Sequence, residues 1–331
     1  MPPVQRGRVP GTVGRFGEPP RPGFAHGIRS NGPAGRIGGG RPLYAEAGRP
    51  LDDTATDAVS AHALPPEPEA ALFDTVRLGV CALPLFARGG PQPADVVQGR
   101  LNNCPIGAAL MALAHTTPSV ITGMITAMED GGGTGATEDA GAEPGLHLFQ
   151  VSLPSHAPVL VTNRLYFQGE SLTAGNIAYT RSSNGTMWMS LIEKAYASTL
   201  SRGYITLSQT GTGGGGAPDT RGVFLALVGP CDTAVLGDAG NQLYSSAGEV
   251  AAMSAGQLRT MLRQARRRAS IGATRPGIRG PVEPAHSYTV LGFAGGQIRL
   301  RDPRGGEHAV VSLSQEQFQQ YFAAIIQATG R

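Results

Sequence analysis

Lysine is almost missing from this chain. Lys194 is the only one, so arginine carries nearly all of the positive charge, and a net charge of +3 is too small to argue for a nucleic-acid partner. A genome rich in G and C would produce this bias. So would delivery into a eukaryotic cytosol, where few ubiquitination sites are an advantage. Cysteine is scarce too: Cys81, Cys104 and Cys231 give no disulfide framework and suit a reducing, cytoplasmic setting, with Cys81 and Cys231 read as buried structural thiols. No apolar run is long enough to span a membrane, and none near the start has the form of a cleaved secretory signal. His115, His147, His156 and His308 have no carboxylate or cysteine at metal-ligand spacing, and no EF-hand loop occurs. The reading therefore includes no metal and no cofactor.

Glycine and proline are abundant, 48 and 26, and their uneven spread divides the chain. Residues 1–65 hold many of them, together with Arg6, Arg8, Arg15, Arg21, Arg29, Arg36, Arg41 and Arg49, and have almost no apolar periodicity. This leader is expected to be disordered. Gly131 to Gly145 reads as an acidic surface insertion carrying Glu138, Asp139 and Glu143, led in by Glu129 and Asp130. Gly211 to Gly216 reads as a hinge.

Cys104 stands where a thiol meets an apolar helix. Asn102 and Asn103 are N-cap residue types, Pro105 suits a first helical turn, and Ile106, Leu110 and Leu113 recur at helical spacing. Unpaired N–H groups and the positive end of the helix dipole favour an anionic sulfur there. Gln98, six residues upstream, is placed to share an oxyanion hole with the Cys104 N–H. A cysteine before a helix is nonetheless most often a packed core thiol.

The chain downstream supplies partners. His286 opens the strand-like run Ser287–Phe293, Gly295-Gly296 makes a tight turn, and Gln297–Asp302 alternates again, so His286 and Asp302 fall near the open end of one hairpin. Nucleophile, base and orienting acid then occur in the order Cys, His, Asp. Trp188, Leu191, Ile192, Ala195, Tyr196 and Thr199 share one face of a core helix. Residues 254–268 form another, with Leu258, Met261, Leu262 and Ala265 inward. Its Arg259, Arg263, Arg266, Arg267 and Arg268 offer a basic face to an acidic partner. A last helix is capped by Ser314 and Gln317 and carries the stripe Phe318, Tyr321, Phe322, Ile325 and Ile326.

These segments together resemble the calpain-type cysteine proteases of the papain-like superfamily. Gln98-Gly99, Leu101 and Cys104 look like that family's cysteine segment, and Val159–Leu165 like its valine-rich strand. Trp188 with Leu191-Ile192-Glu193-Lys194-Ala195-Tyr196-Ala197 resembles its tryptophan and leucine-glutamate-lysine-alanine-tyrosine helix. Ala285–Val290 and Arg301–Gly305 resemble its histidine strand and its asparagine-proline-tryptophan-glycine turn. The matches run in the family's order from about 98 to about 306. Asn103 and Pro105 replace an aspartate and a tryptophan beside the cysteine, Asp302 replaces the orienting asparagine, and Arg304 replaces the tryptophan that shields it.

The resemblance implies an α+β, papain-like fold. A helical subdomain at 66–210 would carry Gln98 and Cys104, and an antiparallel, barrel-like subdomain at 211–331 would carry His286 and Asp302. It implies an intracellular endopeptidase acting on protein substrates, in the manner of a divergent bacterial effector or toxin that is secreted or delivered into a host or target cell. Two alternatives stand beside it: a glutamine deamidase or transglutaminase using the same triad, which Asp302 brings to mind, and a catalytically silent binding module, motivated by Pro105 and Arg304.

The best-known members of the resembled family are switched on by calcium, held by several oxygen ligands in a rigid cage. Here the acidic cluster Glu129, Asp130, Glu138, Asp139 and Glu143 sits in or beside glycine-rich sequence. Turnover and thiol labelling are therefore expected to be the same in EGTA as in millimolar calcium. Strong calcium stimulation of both would contradict this.

Overall fold

In the computed structural model, residues 64–71, 75–128, 145–210, 219–236, 253–306 and 309–330 are described. Nearly all of the leader, the acidic insertion from Glu129, the Gly211–Gly216 stretch and His308 lie outside them. The first part runs from an extended segment at 64–71 through β1 (Val76–Val80), β2 (Val96–Val97), α1 (Cys104–Thr116) and α2 (Pro118–Met124). It continues with β3 (Ile125–Ala127), β4 (Leu148–Val151), β5 (Val159–Thr162), β6 (Arg164–Gln168) and β7 (Arg181–Ser182). It closes with α3 (Trp188–Ser198), α4 (Gly203–Leu207) and α5 (Thr220–Val228). Three small antiparallel sheets pair β1 with β6, β2 with β7, and β4 with both β3 and β5 around the helices.

The second part is built on one sheet. Its elements are β8 (Cys231–Val235), α6 (Ala255–Gln264), β9 (Ser270–Thr274), β10 (Ser287–Ala294), β11 (Gln297–Arg301), β12 (Val310–Ser314), α7 (Gln315–Tyr321) and β13 (Phe322–Ala328). The strands lie in the order β12-β11-β10-β9-β13-β8, antiparallel throughout, with β12 and β8 at the edges. The β10–β11 hairpin turns at Gly295 and Gly296, whose φ values of +59° and +76° suit a two-residue primed turn. Helices and antiparallel sheets together make the α+β class.

Two expected helices end early. The capping box of Ser314 and Gln317 forms, but its helix stops at Tyr321, and Phe322–Ala328 is a strand. All seven of those residues are buried between β8 and β9. A strand covered on both faces is apolar at every position, so its sequence imitates a helical stripe. Likewise α6, capped by Ser254 and Gln257, ends at Gln264, leaving Arg266, Arg267 and Arg268 beyond it. Its Leu258 and Leu262 are buried as expected.

Packing groups α5 with the cysteine side. Val223, Phe224, Ala226 and Leu227 join the cluster that holds Ile106 and Leu110, and α5 lies against α1. The expected boundary at 210 had put this helix with the sheet. At the other end, residues 66–71 strap onto the same body. Ala71 N–H donates to the Tyr179 hydroxyl at 3.0 Å, Tyr166 donates to the Pro68 carbonyl at 2.9 Å, and Tyr204 N–H donates to the Glu69 carbonyl at 2.8 Å. Gly203, at φ +48°, leaves no room for a Cβ, which would lie 2.5 Å from Glu69 N.

Glu67 of this strap meets the chain's only lysine. Lys194 is buried on α3, and its Nζ lies 2.5 Å from Glu67 Oε2 while donating to the Thr162 and Arg164 carbonyls at 2.9 and 2.7 Å. Burial lowers the Lys194 pKa, and Glu67 opposes that effect. Removing one partner of such a pair strands a buried charge. Glu67→Ala is expected to cost about 3 kcal/mol in urea denaturation, and adding Lys194→Met should recover most of it. A Glu67→Ala melt at the wild-type midpoint would refute the pairing.

Candidate active site

The cysteine helix lies along the histidine strand, start beside start. Thr289 Oγ1 donates to the Ala108 carbonyl at 2.7 Å, and His115 Nε2 lies 2.9 Å from the Leu291 carbonyl. The eleven helical steps from Cys104 to His115 rise about 16 Å, as do the five extended steps from His286 to Leu291. The two elements therefore stay in step, and their first residues meet. Gly107 allows the close approach of the Asp302 turn, because a Cβ there would lie 2.7 Å from Pro303 Cβ. Gln98 N–H donates to the Pro303 carbonyl at 2.6 Å, tying the glutamine loop to the same turn.

His286 is held from both sides. Its N–H donates to Thr274 Oγ1 at 2.8 Å and its carbonyl accepts from Thr274 N–H at 2.8 Å. Ala285, just before it, has φ +49°, the only such value among the described non-glycine residues. The chain thus spends backbone strain at the entrance to the histidine, as sites commonly do. The imidazole Nε2 lies 2.9 Å from Asp302 Oδ1, and the Cys104 side chain is close enough to the ring to raise its pKa. The Tyr288 ring packs edge-on, its centroid 5.0 Å away. Asp302 Oδ1 also accepts from Arg304 N–H at 2.8 Å. The Arg304 side chain turns outward to Glu283, an exposed pair at 3.6 Å.

The charges follow from these contacts. Burial works to lower the His286 pKa, but the Asp302 hydrogen bond and the Cys104 side chain outweigh it and drive it from 6.5 up to about 9. For Asp302 burial is again the largest single influence and raises the pKa. The His286 hydrogen bond and charge, together with the Arg304 N–H, overcome it and hold the carboxyl below its ordinary value. Carboxylate and imidazole thus favour each other's charged form.

The structure brings Cys104, His286 and Asp302 together, with Cys104 at the head of α1 and only 4% exposed. Gln98 is beside them: its Nε2 donates to the Leu101 carbonyl at 2.7 Å, and its Oε1 is buried without a partner. The profile of the calpain family cysteine protease matches residues 77–309. The chain belongs to the calpain family of cysteine proteases. No curated protein matches it. Among the described residues, no three or more Asp, Glu, His or Cys side chains are grouped so that they could hold a metal ion.

Asn103 departs from its expected role. It makes no side-chain cap to α1; its Nδ2 instead reaches inward to Glu193 Oε1. Glu193 was read only as part of a core helix. A signal for it existed in two charged residues, Glu193 and Lys194, set in a helix whose positions 188–197 are all buried.

Because its pKa is raised, protonated His286 stabilises the fold fully below pH 6.5, and that contribution is lost as pH rises through about 9. Activity is expected to fall with an alkaline inflection near 9, and Asp302→Ala should move the inflection down. Burial pushes the Cys81 and Cys231 thiols up, so iodoacetamide at neutral pH should label Cys104 faster than either. Equal labelling rates, or an inflection indifferent to Asp302, would count against this site.

Proposed function

We propose that this calpain-family protein is an endopeptidase of papain-like layout, working through Cys104, His286 and Asp302 on protein substrates. The observation that carries the reading is a buried imidazole 2.9 Å from Asp302 Oδ1, with the Cys104 side chain near enough to help raise its pKa. Cys104 gives its proton to His286 and attacks the peptide carbonyl carbon. The Cys104 N–H and the second hydrogen of Gln98 Nε2 hold the oxygen as it gains charge. His286 then protonates the departing amine, the C–N bond breaks and a thioester remains. Water, deprotonated by His286, attacks the thioester, releasing the acid and restoring the thiol. Asp302 holds the imidazole in orientation and stabilises its cation.

Asp302 in place of asparagine keeps a second reading, deamidation or transamidation of a protein glutamine, since both pass through the same thioester. Incubation of the protein and its Cys104→Ala variant with a cell lysate separates the two by mass spectrometry. New peptide termini that vanish in Cys104→Ala are expected; Gln-to-Glu changes or cross-links without new termini would replace the endopeptidase reading with the second. On casein, Asp302→Ala should lose about 100-fold in rate while Asp302→Asn keeps a measurable part. A fully active Asp302→Ala would remove this residue from the triad.

A further inference from the structure

Glu193 is a fully buried carboxylate with no cation beside it among its hydrogen-bond partners. Its Oε1 accepts from Asn103 Nδ2 and, at 2.6 Å, from Thr180 Oγ1; its Oε2 accepts from Thr180 N–H at 2.8 Å. Lys194, next on the helix, turns to Glu67 and Thr162 instead. Such a group costs stability, and a packed apolar side chain would fill the space more cheaply.

What the carboxylate joins is informative. Asn103, itself fully buried, immediately precedes Cys104. Thr180 ends the strip that backs the Gln98 loop: the Ala178 carbonyl accepts from Arg100 N–H at 3.0 Å, and a Cβ on Gly99 would lie 2.1 Å from the Tyr179 carbonyl oxygen. One carboxylate therefore ties the residue that carries the thiol to the strip that fixes the glutamine.

We propose that Glu193 is a positioning residue for the Cys104 site, holding the thiol and the Gln98 loop in register through Asn103 and Thr180. This rests on the cysteine-protease reading above. Burial first of all raises the Glu193 pKa, against the Thr180 and Asn103 hydrogen bonds, from 4.5 to about 7. A raised carboxyl leaves its stability contribution intact below about 4.5 and loses it as pH rises through about 7, so the ionised form is retained at a cost in stability. The titratable group coupled to it from another element is Tyr204 of α4. Lys194 of its own helix points away.

Glu193→Gln keeps the shape but puts a donor where one acceptor stood, so either Asn103 or Thr180 loses its partner. The variant is expected to melt cooperatively at pH 8, no less stably than wild type. Its kcat on casein should fall about tenfold with KM changed by less than about twofold. The wild-type rate of Cys104 alkylation by iodoacetamide should show an inflection near 7 that Glu193→Gln abolishes. Asn103→Ala, which cuts only the link to the thiol, should show the same split of kcat from KM, and the double variant should lose no more than the worse single one. That test stands even if Glu193→Gln fails to fold. Wild-type kcat in either folded variant, or an inflection that survives in Glu193→Gln, overturns the proposal. A wild type inert toward casein would instead overturn the protease reading, and the alkylation profile would then decide the role of Glu193.

Discussion

The packing of α1 along β10 is the constraint on which the rest depends. A helix and a strand advance at different rates per residue, so a catalytic pair drawn from both needs its starting residues fixed together. Two hydrogen bonds, from Thr289 to Ala108 and between His115 and Leu291, set the parallel alignment. Gly107 and Pro303 then let the turn after β11 close on the same helix. Cys104 must meet His286, and Asp302 must meet His286, once these three contacts exist. The helix is buried along Cys104–Ala114, so its apolar residues bind neighbours on every side and it has little freedom to slide.

The second constraint is electrostatic and sits in α3. Glu193 and Lys194 are adjacent, both buried, and oppositely employed. Glu193 faces the cysteine loop, while Lys194 faces the strap and the β5–β6 corner. Neither neutralises the other; each is satisfied by groups far away in sequence, so the helix is anchored at two places by interactions that tolerate little displacement. Buried charges are poor sources of stability but good sources of specificity when every partner is fixed. In this chain that specificity falls on the segments flanking the nucleophile.

How much of this was legible in the sequence depended on whether the signal was local. Cys104 before an apolar helix, the His286 hairpin with Gly295-Gly296, and Asp302 at its open end are short-range patterns, and the structure brings these residues together. The run from Phe322 failed as a helix because a strand buried on both faces has no alternation to betray it. Asn103 failed as a cap because its residue type fits a helix start equally well whether the side chain turns back to the helix or inward to a buried acid. The strap at 66–71 sat unnoticed just after a proline-rich leader, at the first residues of the expected helical subdomain. Its meaning lies in Lys194, more than a hundred residues away, and no periodicity carries that.

The departures from the family pattern fall where backbone rather than side chain does the work. Asp302 is oriented by the His286 ring and by the N–H of Arg304, and that N–H is supplied by any residue except proline. With arginine at the position of the expected tryptophan the backbone hydrogen bond is kept, while the Arg304 side chain turns outward to Glu283. Pro105 behaves alike: within the first helical turn an N–H has no helical partner to lose, and the Cys104 N–H next to it is untouched. An asparagine with less shielding would hold the imidazole weakly against solvent. A carboxylate compensates by accepting a stronger hydrogen bond, and that bond, together with the Cys104 side chain, raises His286 to about 9. The Asp302 carboxylate thus supplies the hold on the imidazole that does not depend on cover from residue 304.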